Sequence, residues 1–247
     1  VKDAYMRNTK FRRTRLGVCF MLVSMVLGMA VAVASLLSMR GHLDTDAMAG
    51  PTLSLPTILI SLFSPVGILL EIVALVLILL NSREIGVLHR RLAWTALWLF
   101  IVWGAANLGG FLPLTFIAVQ RGSVAMLRMG QMVKAIAAVF QYAVPFLLIF
   151  GIAPPSVKRL LWPALVLTIV GNFATVALGG ASMELVASDA SGFVSHVPRL
   201  AVDYTRGVYP FTLGMGYIGG FLYILAYGSL LARFGYNIMD DGKDNLW

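Results

Sequence analysis

The sequence predicts an all-α, polytopic integral membrane protein, a six-transmembrane-helix bundle with both termini cytoplasmic. Three observations predict it. Of 247 residues, 59% are hydrophobic and only 12% charged, against about 25% charged in an ordinary soluble domain. That is too little charge to cover a surface facing water. The apolar residues are gathered into six long runs, each able to cross a hydrocarbon layer about 30 Å thick at a rise of about 1.5 Å per residue. The basic residues crowd into alternate connections. With no water inside a bilayer, the backbone must satisfy its own hydrogen bonds, so each crossing is expected to be a helix.

The chain opens on a basic tail, residues 1–16, holding Lys2, Arg7, Lys10, Arg12, Arg13 and Arg15. The first span, about 17–39, carries the single cysteine, Cys19, and a stripe of Met21, Met25 and Met29. One cysteine allows no internal disulfide and no thiolate metal site with a second thiol. Ala32-Val33-Ala34 has the form of a signal cleavage site. The apolar run before it is longer than the roughly 7–15 residues of a signal core, so it is expected to stay as a membrane helix. A polar, turn-rich connection at 40–55 (Gly41, Asp44, Asp46, Gly50, Pro51) leads to the second span, about 56–80.

Arg83, Arg90 and Arg91 mark the next connection. The third span, about 91–118, begins with Trp94 and Trp98, whose indoles suit a headgroup boundary. Residues 119–130 read as an outer connection and 131–152 as the fourth span. Lys134 stands about one turn inside that span, where its stem can snorkel to the headgroups. Lys158 and Arg159 precede the fifth span, about 160–181, which starts near Trp162. The segment 182–206 is the longest expected outside lipid, with a mobile tip at 188–192 and room for a short interfacial helix. The sixth span, about 207–233, is followed by a short tail, 234–247.

Thirteen of the nineteen basic residues fall on the side shared by the two termini. This bias sets the expected topology, since positively charged connections remain cytoplasmic. It also reassigns the net charge of +8. The charge belongs to the membrane surface and not to nucleic acid, and the N-terminal tail is expected to hold anionic headgroups at about 1 kcal/mol per charge. The expected location is the inner (cytoplasmic) membrane of a bacterium.

Gly214, Gly216 and Gly219 spell G-x-G-x-x-G. A dinucleotide loop requires a preceding strand and a helix start beneath the pyrophosphate. These glycines lie inside an apolar span, where small residues instead let helix backbones approach. Gly216 and Gly220 have the GxxxG spacing. Gly171, Thr175 and Gly179 repeat it in the fifth span, and Ala106 and Gly110 in the third. Gly109-Gly-Phe-Leu112 recurs as Gly219-Gly-Phe-Leu222, the kind of echo an inverted repeat would leave.

Glu71 is the carboxylate expected deep in a span, where an acid costs roughly 2.5–3.5 kcal/mol. It should face protein and be hydrogen-bonded or protonated. Gln141 and Asn172 are expected at comparable depth, with Asn107 nearby, and Pro65, Gly67 and Pro145 would free backbone carbonyls beside them. Such a layer serves either a protonatable transport path or a neutral hydrogen-bonded register pin. Met126, Met129 and Met132 repeat every third residue, which gathers soft thioethers that suit Cu(I) on one helix face. Methionine packing explains the same pattern without a metal.

His42, His89 and His196 all fall in connections, and no span places a histidine base beside a serine. No catalysis, cofactor or metal is expected. The leading expectation is a non-catalytic membrane component that associates with itself or a partner membrane subunit. The alternative is a small channel or secondary transporter that uses Glu71.

Overall fold

In the computed structural model, residues 12–44, 55–187, 196–200 and 208–239 are described. The helices are α1 (Arg12–Asp44), α2 (Leu55–Ile85), α3 (Val87–Ala106), α4 (Leu112–Arg121), α5 (Val124–Phe150), α6 (Pro155–Ala181) and α7 (Tyr209–Met239). A single π-helical turn, Asn107–Phe111, joins α3 to α4, so these three pieces form one span. Six helices are long and apolar enough to cross a membrane. Strands β1 (Met183–Ala187) and β2 (His196–Leu200) form an antiparallel pair between α6 and α7, in a register that sets Met183 opposite Leu200 and Ala187 opposite His196. The described residues of 182–206, where the sequence left room for a short interfacial helix, are a turn and this ribbon. Pro198 fits there because a two-stranded ribbon has a free edge on each strand.

The basic residues Lys2, Arg7, Lys10 and Lys243, most of the 40–55 connection and the 188–192 tip lie outside the described residues.

Several connections are shorter than the apolar runs suggested. Gly86 alone separates α2 from α3, at φ +150°, a backbone conformation open to glycine and hard for other residues. Its carbonyl accepts from Arg90 N at 3.0 Å and starts α3. Gly122 and Ser123 alone separate α4 from α5. Gly122 sits at φ 64°, and Ser123 N donates to Ala118 O at 3.0 Å, closing the end of α4. Ser123 then caps α5, its Oγ accepting from Met126 N at 3.4 Å. The 119–130 connection expected from hydropathy is therefore mostly helix. At the α5–α6 connection, Ala153 N donates to Ile149 O at 2.8 Å, and Pro154 O accepts from Lys158 N at 3.0 Å. Pro155 follows as the first helical residue, where its missing N–H costs nothing.

Two compact units are distinguished along the chain. The first contains α1, α2, the start of α3 to Ala93, residues 148–160 and α7 from Tyr223. In it α1 and α2 run antiparallel in close register. Asn81 Nδ2 donates to Thr14 Oγ1 at 3.0 Å. Gly17 faces Ile78 and the carbonyl of Ala74 with no room for a side chain. Ser24 Oγ donates to Gly67 O at 3.0 Å. Val18, Met21, Ala74 and Ile78 close the seam between these rungs.

The second unit contains the rest of α3 from Trp94, the π turn, α4, α5 to Leu147, α6 from Leu161, the β ribbon and α7 to Leu222. Small residues form its seams. A methyl on Gly110 would stand 2.9 Å from Val133 Cγ1, and one on Gly180 would stand 2.5 Å from Gln131 Cβ.

Outward positions are apolar in both units. Leu69, Leu80, Leu108, Phe116 and Phe211 are each at least 60% exposed. The fully buried positions are often alanines, such as Ala74, Ala93, Ala96, Ala135, Ala137 and Ala226. Large apolar groups outside and small ones inside suit a hydrocarbon solvent, in which helix association gains from close backbone approach.

Candidate functional site

Glu71 projects from α2 two turns before the buried residue Ile78, and it is half-buried. Ser24 of α1, only 3% exposed, approaches its carboxyl, with Oγ to Oε1 at 3.4 Å. The same hydroxyl donates at 3.0 Å to Gly67 O, one turn back on α2. One serine therefore ties a carbonyl and a carboxyl on the same face of its neighbour. From α7, the wholly buried Tyr227 lies within electrostatic reach of both Glu71 and Tyr223. All of these residues belong to the first unit. A carboxyl beside a hydroxyl can exchange hydrogen bonds, hold or release a proton, or offer hard oxygen atoms to a cation.

Two of the other polar candidates turn back on their own helices. Asn107 Nδ2 donates to Trp103 O at 2.8 Å, and Asn172 Nδ2 to Thr168 O at 2.8 Å. Gln141 is half-buried on α5. All three belong to the second unit, and Glu71 to the first. Asn107 also opens the π turn, so its side chain caps a carbonyl where the helical ladder changes step.

The glycines have distinct environments. Gly171 is buried against Gly216 and Thr212 O, so closely that a methyl would stand 2.8 Å from either Gly216 Cα or that carbonyl. Gly216 faces Asn172, and Gly219 is pressed against Thr168. Thr175 Oγ1 donates to Thr212 Oγ1 at 3.1 Å along the same α6–α7 seam, and Thr212 Oγ1 donates in turn to Tyr209 O at 2.9 Å. Gly179 is buried, while Gly220, Ala106 and Gly110 are half-buried. Gly219 therefore shares the seam with Gly216, a role the GxxxG spacing alone did not assign to it.

Met126, Met129 and Met132 all lie on α5, the last two 57% and 45% exposed. Among the described residues, no group of three or more His, Cys, Asp or Glu side chains gathers. Lys134, also exposed on α5, sets its ammonium 5.0 Å from the centre of the Phe111 ring in the π turn, a cation–π contact.

Four residues of the first unit carried no individual signal in the sequence. Ser24 and Thr14 extend a buried stripe along α1 through Gly17, Val18 and Met21, spaced three and four apart. Tyr223 and Tyr227 sit on a similar stripe with Ala226 and Leu230 on α7. Helical spacing of small and polar residues within an apolar run was the available clue. His89 is a further surprise. It is only 2% exposed, Gly151 packs on its Cα, and neither ring nitrogen has a hydrogen-bond partner among the described residues.

No family model, no curated protein and no solved structure matches the chain.

Proposed function

We propose that the chain is a non-catalytic, multi-pass component of a membrane assembly, associating with a second copy or a partner subunit. Its third span supports this reading. None of the most apolar stretch of Val87–Arg121 is buried within the chain, and Trp98, Leu108 and Phe116 stand outward there. Gly171 and Gly216, by contrast, are already engaged with each other within the chain. Glu71 then serves as a neutral pin, continuing with Ser24 the series of polar and small rungs that registers α1 on α2. The positive-inside bias supports cytoplasmic termini, in a bacterial inner membrane.

Cysteine cross-linking tests association. With Cys19→Ser as background, Leu108→Cys should give a covalent dimer or a stoichiometric adduct in native membranes. A monodisperse monomer that purifies without a partner would overturn the proposal. A cysteine at residue 2 should react with impermeant reagent only after the membrane is opened, and one at Ser123 before.

A second reading, a small channel or secondary transporter, is favoured by one observation: a carboxyl inside a span meets the Ser24 hydroxyl and lies in range of Tyr227. In it, Glu71 takes up a proton or cation. Purified protein in liposomes would then move protons or a solute, and Glu71→Gln would abolish the flux. Wild-type flux in that variant would remove Glu71 from the path.

A further inference from the structure

We propose that the end of α6 where Ser156 meets Arg233 of α7 is a binding site for the headgroup phosphate of an anionic phospholipid. Arg233 Nη2 donates to Ser156 Oγ at 3.0 Å, and both side chains are exposed. This bond holds the guanidinium at the α6 terminus and leaves its other N–H groups pointing away from Ser156. A guanidinium fixed at one edge still presents a planar fork to a phosphate, and bidentate Arg–phosphate pairing is among the stronger polar contacts. Arg159 lies one turn after Ser156, on the same face of α6, and is also exposed. Lys158 sets its ammonium over the Phe150 ring at 5.0 Å. Three cations thus gather at this end of the first unit, and among the described residues no carboxylate pairs with Lys158, Arg159 or Arg233.

The exposed face of α6 indicates which anion fits. Along the helix it runs Ser156, Arg159, Trp162 and Val166, the last two each 53% exposed. Hydroxyl and guanidinium come first, then an indole, then an aliphatic side chain. A phospholipid presents its phosphate, ester zone and acyl chain in the same vertical order, and tryptophan favours the zone between headgroup and tails. On α7 the same order holds, with Arg233 toward the C-terminal part of the helix and Leu225, 42% exposed, two turns earlier. A soluble anion would use the cations alone and gain nothing from Trp162 and Val166.

The test uses the full chain in a neutral detergent, with phosphatidylglycerol, phosphatidylcholine or inorganic phosphate added. Retained lipid is counted by native mass spectrometry and the melting temperature is followed in parallel. Phosphatidylglycerol should be retained and should raise the melting temperature, while the other two do neither. Arg233→Gln should weaken that retention about tenfold, the loss of one charge-assisted hydrogen-bond set. Arg159→Gln and Ser156→Ala should each weaken it by less. Arg128→Gln, at an exposed position on α5, should leave it unchanged. Equal retention of phosphatidylcholine, an equal effect of inorganic phosphate, or an Arg233→Gln protein that keeps wild-type retention would each overturn the proposal.

Discussion

Gly171 of α6 and Gly216 of α7 meet backbone to backbone, with space for hydrogen and for nothing larger. A methyl on Gly171 would lie 2.8 Å from Gly216 Cα and 2.8 Å from Thr212 O. Since both neighbours are main-chain atoms, no rotamer change relieves the clash. Gly171→Ala should therefore destabilise the folded protein by about 1–3 kcal/mol, the usual cost of overpacking. Gly28→Ala, where nothing stands within 4 Å of an added methyl, should be neutral or slightly stabilising. Reversible unfolding in mixed micelles measures both, and equal midpoints would mean that the α6–α7 seam yields freely.

Thr14 and Asn81, 0% and 4% exposed, fasten one end of the α1–α2 pair at 3.0 Å. Thr14→Val keeps the shape and removes the acceptor, and should cost about 1 kcal/mol through the loss of one hydrogen bond in a buried seam. Combined with Asn81→Leu, the double variant should lose less than the sum of the two singles. Strict additivity in that cycle would show that the pair contributes no coupling.

Ser24 and Glu71 predict a different pattern. Ser24→Ala removes the donor to Gly67 O and to the carboxyl and should cost about 1 kcal/mol. Glu71→Gln preserves size and hydrogen-bonding capacity, so it should stay within about 1 kcal/mol of wild type. Glu71→Lys should fail to accumulate in the membrane, since a bulkier cation would have to enter the same apolar seam. Normal abundance of that last variant would show that Glu71 faces water.

Gly86 gives a test of backbone conformation alone. Nothing lies within 4 Å of an added methyl, yet φ is +150°. Gly86→Ala should cost about 1–3 kcal/mol through strain. Gly104→Ala, mid-helix and equally uncrowded, should gain up to about 1 kcal/mol from helix propensity. The opposite sign at two open glycines is the measurable signature.

The six crossings were legible because lipid requires length and apolarity, and composition reports both. Element ends were less legible for the same reason. In lipid the outer face of a helix is as apolar as the inner one, so hydropathy falls where charge begins and not where the helix ends. α2 continues through Asn81, Ser82 and Arg83 to Ile85, and α5 begins at Val124, before Arg128. Gly122-Ser123 carried the stop and start signals in its residue types, a left-handed glycine followed by a capping serine. The β ribbon was hidden because two five-residue strands leave little periodicity to read. Glu71 stood out by charge, whereas Ser24 and Tyr227 acquire their meaning only once α1, α2 and α7 are brought together.

The single-residue link at Gly86 gives α2 and the first turns of α3 no slack. A ribosome delivering this stretch to a membrane would present two crossings with no free chain between them, so the second should follow the first into the bilayer without delay. Any later movement between them is confined to one φ/ψ pair. Lengthening that link by a few flexible residues would uncouple the two helices while leaving every side chain in place.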